Sequence, residues 1–244
     1  MELAVAAVPE LRTLLTRSFE EEVQAIADRP FTCALSGGAT ALIFLGALRN
    51  AKVDWSRITL FWADERAVPP DDPESNYGVA DRMLLSPLGA KAPRAIRMPL
   101  DSVAGSSAGN LARDRPAHTL GEAALIYDDI LARELKGGAL DLAILGVGED
   151  GHVCSLFPGH KALIQDDLRA VAIEDAPKPP PRRLSLTLRF VLQTRKIWLV
   201  AVGPRKLPVL QAALSKTQRT TPLDLLIHQA KDLTVFTDQV IRRL

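Results

Sequence analysis

Short apolar runs of β character alternate along this chain with segments whose apolar residues recur at helical spacing. This alternation restricts the fold more than any other feature, because strands separated by helices pair in parallel and carry the helices on the sheet faces. The most strand-like run, LDLAILGV at 140–147, empties into Gly148-Glu149-Asp150-Gly151-His152. Further strands are expected at 31–35, 58–63, 168–173, 196–202 and 233–236. Helices are expected at 9–28, 40–49, 76–85, 118–136 and 204–215, at 185–194, and briefly after 236. In the first of these, Leu11, Leu14, Leu15, Phe19, Val23 and Ile26 recur at helical spacing, and Pro30 ends it. Residues 101–117 show no period and read as a loop. Residues 177–181, four prolines around Lys178, read as a stiff extended loop rather than a linker.

Length and charge narrow the function. The 244 residues suit one α/β domain spanning 1–244, with no internal repeat or linker to divide it. Thirty basic residues against 29 acidic ones give a net charge of +1, so no overall field recruits nucleic acid or an anionic membrane. An anionic ligand must therefore be held by a few placed groups. Cys33 and Cys154 lie too far apart in sequence to suggest a disulfide framework or metal site, and suit a reducing compartment. No run reaches the ~18 apolar residues of a membrane span. The N-terminus lacks the basic start of a secretion signal. A cytoplasmic protein is expected.

Four segments carry candidate chemistry. Ser36, Gly37, Gly38, Ala39 and Thr40 follow a strand and precede a helix; a glycine turn there aims N–H groups outward at a helix N-terminus, which suits a phosphate, although any tight strand-to-helix turn uses glycines. Asp64-Glu65-Arg66 ends a strand, where open α/β sheets bind ligands, and Arg66 offers a planar fork of donors; the alternative is a surface ion pair. His152, on its glycine-rich loop with Asp150 two residues away, has the ionisation range of a general base, with His160 close enough to compete. Arg183 follows the proline loop. Lys206 lies in the first turn of a helix, where a cation opposes the macrodipole unless an anion is bound. Cys154, among Val153, Leu156 and Phe157, reads as a small buried filler rather than a nucleophile.

The blocks LSGGAT (35–40), FWADERAVPPDDPESNYG (61–78), LGVGEDGHVCSLFPG (145–159), PPRRLSLT (180–187) and VGPRK (202–206) together resemble the 6-phosphogluconolactonase family, which is similar in fold to the glucosamine-6-phosphate isomerase/deaminase family. Arg66 after Asp-Glu and Cys154-Ser155-Leu156-Phe157-Pro158-Gly159 after His152 match the lactonase pattern rather than that of the deaminases. Ala39 and Ala41 depart from it, standing where the family usually has a hydroxyl residue and a proline.

The resemblance implies a single-domain Rossmann-like α/β fold, an open, mostly parallel sheet with helices on both faces. It implies hydrolysis of 6-phosphoglucono-1,5-lactone to 6-phosphogluconate in the oxidative pentose phosphate pathway. On this reading His152 activates water, Asp150 orients His152 or acts on the substrate itself, and residues 36–40 hold the phosphate with Arg183 and Lys206. Asp64 binds sugar hydroxyls or orients His152. Arg66 contacts either the oxyanion or the phosphate. No cofactor and no metal are expected, and a monomer is expected before a dimer. The rival readings are an isomerase or deaminase of the same fold and a non-catalytic sugar-phosphate sensor.

Overall fold

A computed structural model describes residues 1–105, 117–215 and 220–241. Its frame is a seven-stranded sheet built from β1 (Glu2–Val5), β2 (Phe31–Leu35), β3 (Ile58–Trp62), β5 (Arg94–Ile96), β6 (Leu142–Gly146), β9 (Lys196–Ala201) and β10 (Leu233–Thr237). The strand order is β1-β10-β9-β6-β2-β3-β5, and every pairing is parallel. Consecutive residues of β6, β9 and β10 are buried, so both faces of the sheet are covered, as parallel pairing with crossover helices requires.

The helices are α1 (Val8–Ala25), α2 (Ala41–Leu48), α3 (Asn76–Ala80), α4 (Ser86–Leu88), α5 (Leu120–Glu134), α6 (Leu188–Gln193), α7 (Leu207–Ser215) and α8 (Pro222–Gln229). α1 buries Leu11, Leu15, Phe19 and Val23 at helical spacing. α5 starts where the Thr119 side chain accepts from the Glu122 N–H, and α6 starts where Thr187 does the same for Phe190. No described helix is long and apolar enough to cross a membrane.

Chain direction reverses at the centre of the sheet. From β2 the chain steps outward to β3 and β5, then returns to place β6 on the other side of β2 and continues to β9 and β10. The β2–β6 seam is therefore a topological switch point, the usual place for a ligand crevice. A buried carboxylate closes the amino end of this seam: Asp141 accepts from Arg29 Nη1 and Nη2 (2.8 and 2.6 Å) and from the Thr32 N–H and hydroxyl (both 2.9 Å).

Several elements differ from the sequence expectation. A second sheet, antiparallel and three-stranded, has the order β4 (Asp64–Arg66), β8 (Arg183–Leu186), β7 (Ala170–Ile173). The helix expected at 185–194 is thus a strand followed by the short α6; Arg183 to Leu186 are all buried, which pairing on both edges favours over a helix. β1, β5 and α8 were not anticipated. Residues 76–85 run from α3 into a π-helical turn at Asp81–Leu85. Residues 204–206 form a 3-10 turn ahead of α7. Residues 238–241 are not helical, and the rest of the expected terminal helix lies outside the described residues, as do residues 106–116 of the expected loop.

Burial raises the Asp141 carboxyl, but the hydrogen bonds from Arg29 and Thr32 prevail and hold it below the usual carboxylate range. A depressed carboxylate stabilises the fold above its unfolded value near pH 4 and loses that contribution as pH falls through its folded value. Asp141→Asn is therefore expected to lower stability by about 1–3 kcal/mol at pH 7. In urea titrations the midpoint should fall at unchanged slope, and the gap should close toward pH 3. A gap independent of pH would separate the effect from ionisation.

Candidate active site

Four neighbouring strands, β9, β6, β2 and β3, end at one edge, and the segments that follow them line a cleft of about 510 Å³. Ser36, Gly37, Gly38, Ala39 and Thr40 come from the end of β2, Asp64 and Arg66 from beyond β3, Gly148 and His152 from beyond β6, and Lys206 from beyond β9. The small sheet supplies Arg183, and the proline-rich segment before it supplies Lys178. Of the residues singled out from sequence, all but Asp150, Glu65 and His160 line the cleft, and Asp150 is bonded to His152 at its wall.

The β2 loop is built around its backbone. Ser36 is fixed in place: its hydroxyl oxygen accepts from the Gly146 N–H at 2.8 Å, which leaves its O–H to donate, and its backbone N–H donates to the Ile144 carbonyl, fastening the carboxyl end of the seam. Gly37 is required by packing, since a Cβ there would lie 1.7 Å from Asn76 Oδ1. Gly38 turns with φ of +82°. Among the described residues the N–H groups of Gly37, Gly38, Ala39 and Thr40 have no acceptor, and they stand at the N-terminus of α2, where an anion is favoured. The exchange at Ala39 leaves that backbone set intact.

On the β6 loop, His152 Nδ1 lies 2.5 Å from Asp150 Oδ1. Asp150 Oδ2 in turn lies 2.9 Å from Lys178 Nζ. Burial raises the Asp150 carboxyl, but Lys178 and His152 outweigh it and bring it down to about 2. An ionised carboxylate can only accept, so Nδ1 carries the ring proton and Nε2 keeps its lone pair. Burial also lowers the ring's own pKa against the pull of Asp150, which favours neutral imidazole at pH 7. The ring rests on Phe157, centroids 4.6 Å apart. Gly148 is as constrained as Gly37: a Cβ would fall 2.0 Å from His152 Nδ1. His160, the competing histidine, instead pairs with Asp175 at 3.0 Å and caps a 3-10 turn at Lys161–Ile164.

The surface ion pair holds for Arg66 alone, whose Nη1 meets the exposed Glu74 carboxylate at 3.3 Å. Asp64 is buried and its Oδ2 accepts from the Ser155 hydroxyl at 2.7 Å. Arg66 Nη1 donates to the Glu74 carbonyl at 2.6 Å, while its buried Nε has no partner. An orphaned cationic donor beside a cleft points to a ligand. Glu65 faces away from that cleft and accepts the N–H groups of Arg66, Asn76 and Tyr77.

Arg183 departs most from expectation. Its Nε donates to the Pro180 carbonyl, its Nη2 to the carbonyls of Lys178 and Pro179, and its Nη1 to Ser155. A guanidinium has five N–H donors, and four are engaged here. Arg183 thus secures the proline segment first and offers a ligand one remaining donor. Burial and then the neighbouring Arg66 depress its pKa, and burial likewise depresses that of Lys206. Cys154 is buried, and burial lifts its thiol well above the usual range, consistent with a filler. Among the described residues no group of three or more His, Cys, Asp and Glu is gathered to hold a metal.

Sequence reasoning assigned no role at the site to Lys178, Ser155 or Asn76, and named Glu65 only within its triplet. Lys178 carried a signal, a lone cation inside a proline run that precedes a buried arginine. Ser155 and Asn76 carried none, because each acts through partners distant in sequence.

Burial pushes the Glu65 carboxyl from 4.5 up to about 7, against the backbone N–H groups that favour its charge. The folded chain therefore retains a proton that the unfolded chain loses, and this group's contribution to stability declines as pH rises from about 4.5 to about 7. Glu65→Gln has no such titration. Its melting temperature should gain on that of the wild type across this interval and run parallel above it. A constant difference over pH 5–8 would show that Glu65 titrates normally.

The family profile described as "Glucosamine-6-phosphate isomerases/6-phosphogluconolactonase" matches residues 6–236. The 6-phosphogluconolactonase of Mycobacterium tuberculosis is 36% identical over 186 residues, covering 74% of this chain and 71% of that one. The probable chloroplastic 6-phosphogluconolactonase 3 of Oryza sativa subsp. japonica is 38% identical over 232 residues, covering 88% and 67%. Among solved structures, the 6-phosphogluconolactonase from Trypanosoma cruzi superposes with a TM-score of 0.81 at 24% identity, covering 97% of this chain and 93% of that chain, and so shares the fold.

Proposed function

Since the chain belongs to the glucosamine-6-phosphate isomerase/6-phosphogluconolactonase family, we infer that it hydrolyses 6-phosphoglucono-1,5-lactone to 6-phosphogluconate. The observation that carries this reading is the placement of a neutral, carboxylate-oriented imidazole in the same cleft as a loop of unpaired N–H groups and a lysine. One end of such a site suits a phosphate and the other a water to be activated.

The dianionic phosphate docks on the amides of Gly37, Gly38, Ala39 and Thr40, with Lys206 and the one remaining Arg183 donor supplying charge. Anchoring the far end of the sugar brings the lactone carbonyl to His152 and replaces an improbable encounter by a bound geometry. Nε2 of His152 takes a proton from water as the oxygen attacks C1. The resulting imidazolium, stabilised by Asp150, returns the proton to the ring oxygen as the C1–O bond breaks. Arg66, its guanidinium steadied by Glu74, donates its free Nε to the oxyanion of the tetrahedral intermediate. Asp64, held by Ser155, accepts from a sugar hydroxyl.

Acid release in weak buffer, with lactone generated in situ and spontaneous opening subtracted, tests the reading. The wild type should turn over well above background, and folded His152→Ala should lose ~10²–10⁴ of that rate. Turnover that survives the substitution would move the base elsewhere. Absence of wild-type turnover, or ammonia release from glucosamine 6-phosphate, would overturn the lactonase reading.

Gly148→Ala tests the geometry separately. The added methyl displaces the His152–Asp150 pair without touching either residue's chemistry. It should lower kcat/KM by ~10²-fold, as misplacement of a reacting group does. Near-wild-type activity would show that the ring's setting is unimportant.

A further inference from the structure

Lys178 lies outside the segments that follow the parallel strands, yet the structure brings it to the catalytic histidine through one carboxylate. Asp150 divides its two oxygens: Oδ1 meets His152 Nδ1 at 2.5 Å and Oδ2 meets Lys178 Nζ at 2.9 Å. A carboxylate bonded on one oxygen alone still turns about its terminal torsion, which is broad and roughly two-fold. Bonded on both, it has one orientation, and the imidazole proton has one acceptor.

The cation is delivered by a rigid support. Carbonyls of three successive residues, Lys178, Pro179 and Pro180, accept from Arg183, itself buried in β8. The Ala176 N–H also closes on the Pro181 carbonyl at 3.0 Å. An exposed lysine–aspartate pair on mobile segments contributes little. This pair joins a fastened strap to a tight loop, in which the Gly148 N–H donates to the His152 carbonyl at 2.8 Å.

We propose that Lys178 is a positioning residue for the hydrolysis, acting through Asp150 to fix the tautomer and aim of His152, so that Lys178, Asp150 and His152 work as one unit. The proposal rests on the lactonase reading above. The charged groups around the unit are Glu149 on the same loop with its partner Arg205, Asp64 and Arg66 from β4, Arg183 from β8 across the Phe157 ring, and Lys206 from the turn ahead of α7. None of these is bonded to Asp150; among the described residues its cationic partner is Lys178. Its ammonium also opposes protonation of His152, while Asp150 favours it. Removing the ammonium leaves the carboxylate free to stabilise imidazolium.

The test compares wild type, Lys178→Met and Lys178→Arg by two readouts: imidazole titration by NMR, with the His152 signal assigned by its loss in His152→Ala, and pH profiles of kcat and KM for the lactone. Lys178→Met should raise the His152 titration and the acid limb of kcat/KM together by about one pH unit, which lowers kcat/KM about tenfold below that limb. KM should change little, and Lys178→Arg should restore most of both. A raised KM with His152 titration unmoved would overturn the proposal and make Lys178 a substrate contact. An unchanged titration and profile would overturn it equally. If the wild type has no lactonase turnover, the functional reading falls, and the imidazole titration alone still decides whether Lys178 governs His152.

Discussion

The pairing of β2 with β6 is the seam on which the molecule depends. Parallel strands cannot be joined by a tight turn, so each pairing requires a crossover, and reversal of strand order at this seam leaves a crevice that no crossover fills. Polar groups close the seam at both ends. Asp141 draws Arg29 and Thr32 onto its amino end, while Ser36 receives the Gly146 N–H at its carboxyl end. The loop of unpaired amides and the loop bearing His152 leave from the same end of adjacent strands, so their separation is set by the sheet rather than by either loop. Two loops of unrelated composition can then act on one ligand.

The small antiparallel sheet does a different job. Its register sets Arg66 opposite Arg183 and Asp64 opposite Ser185. Two guanidiniums brought close repel each other, and burial adds to the strain on Arg183. The structure answers with acceptors: four carbonyls, those of Glu74, Lys178, Pro179 and Pro180, and the hydroxyl of Ser155. The residual positive field lies at a cleft whose open donors are suited to an anion. Arg183 fastens the strap that carries Lys178, and on the proposed reading it also contributes charge to the ligand end.

The parallel frame was legible because β2, β3, β6, β9 and β10 are long apolar runs bounded by glycine, proline or charged residues. Most of the candidate site was legible for the same reason, since every candidate segment except that of Arg183 follows one of those runs. The small sheet was not. β4 has three residues, all charged, and exists only through pairing with a strand more than a hundred residues away. Leu184, Leu186 and Leu188 alternate as a strand should, but the leucine-rich run beyond them reads equally well as a helix. α8 was missed although it carried a signal, Thr221 and Asp224 spaced for the reciprocal cap that they form around Pro222. What sequence could not show is occupancy: which donors are already spent within the protein, as most of those on Arg183 are, and which, like Arg66 Nε, are left over.

Residues 177–181 contain four prolines, and their rings remove torsional freedom before the chain folds. The disorder surrendered when this segment is laid across the cleft is correspondingly small, and folding rather than the ligand meets it. A substrate arriving at the cleft finds Lys178 already presented and has no loop to organise. On the proposed reading, little of the interaction energy with the sugar phosphate is diverted into ordering the protein, and the site does not have to unfold for the opened acid to leave.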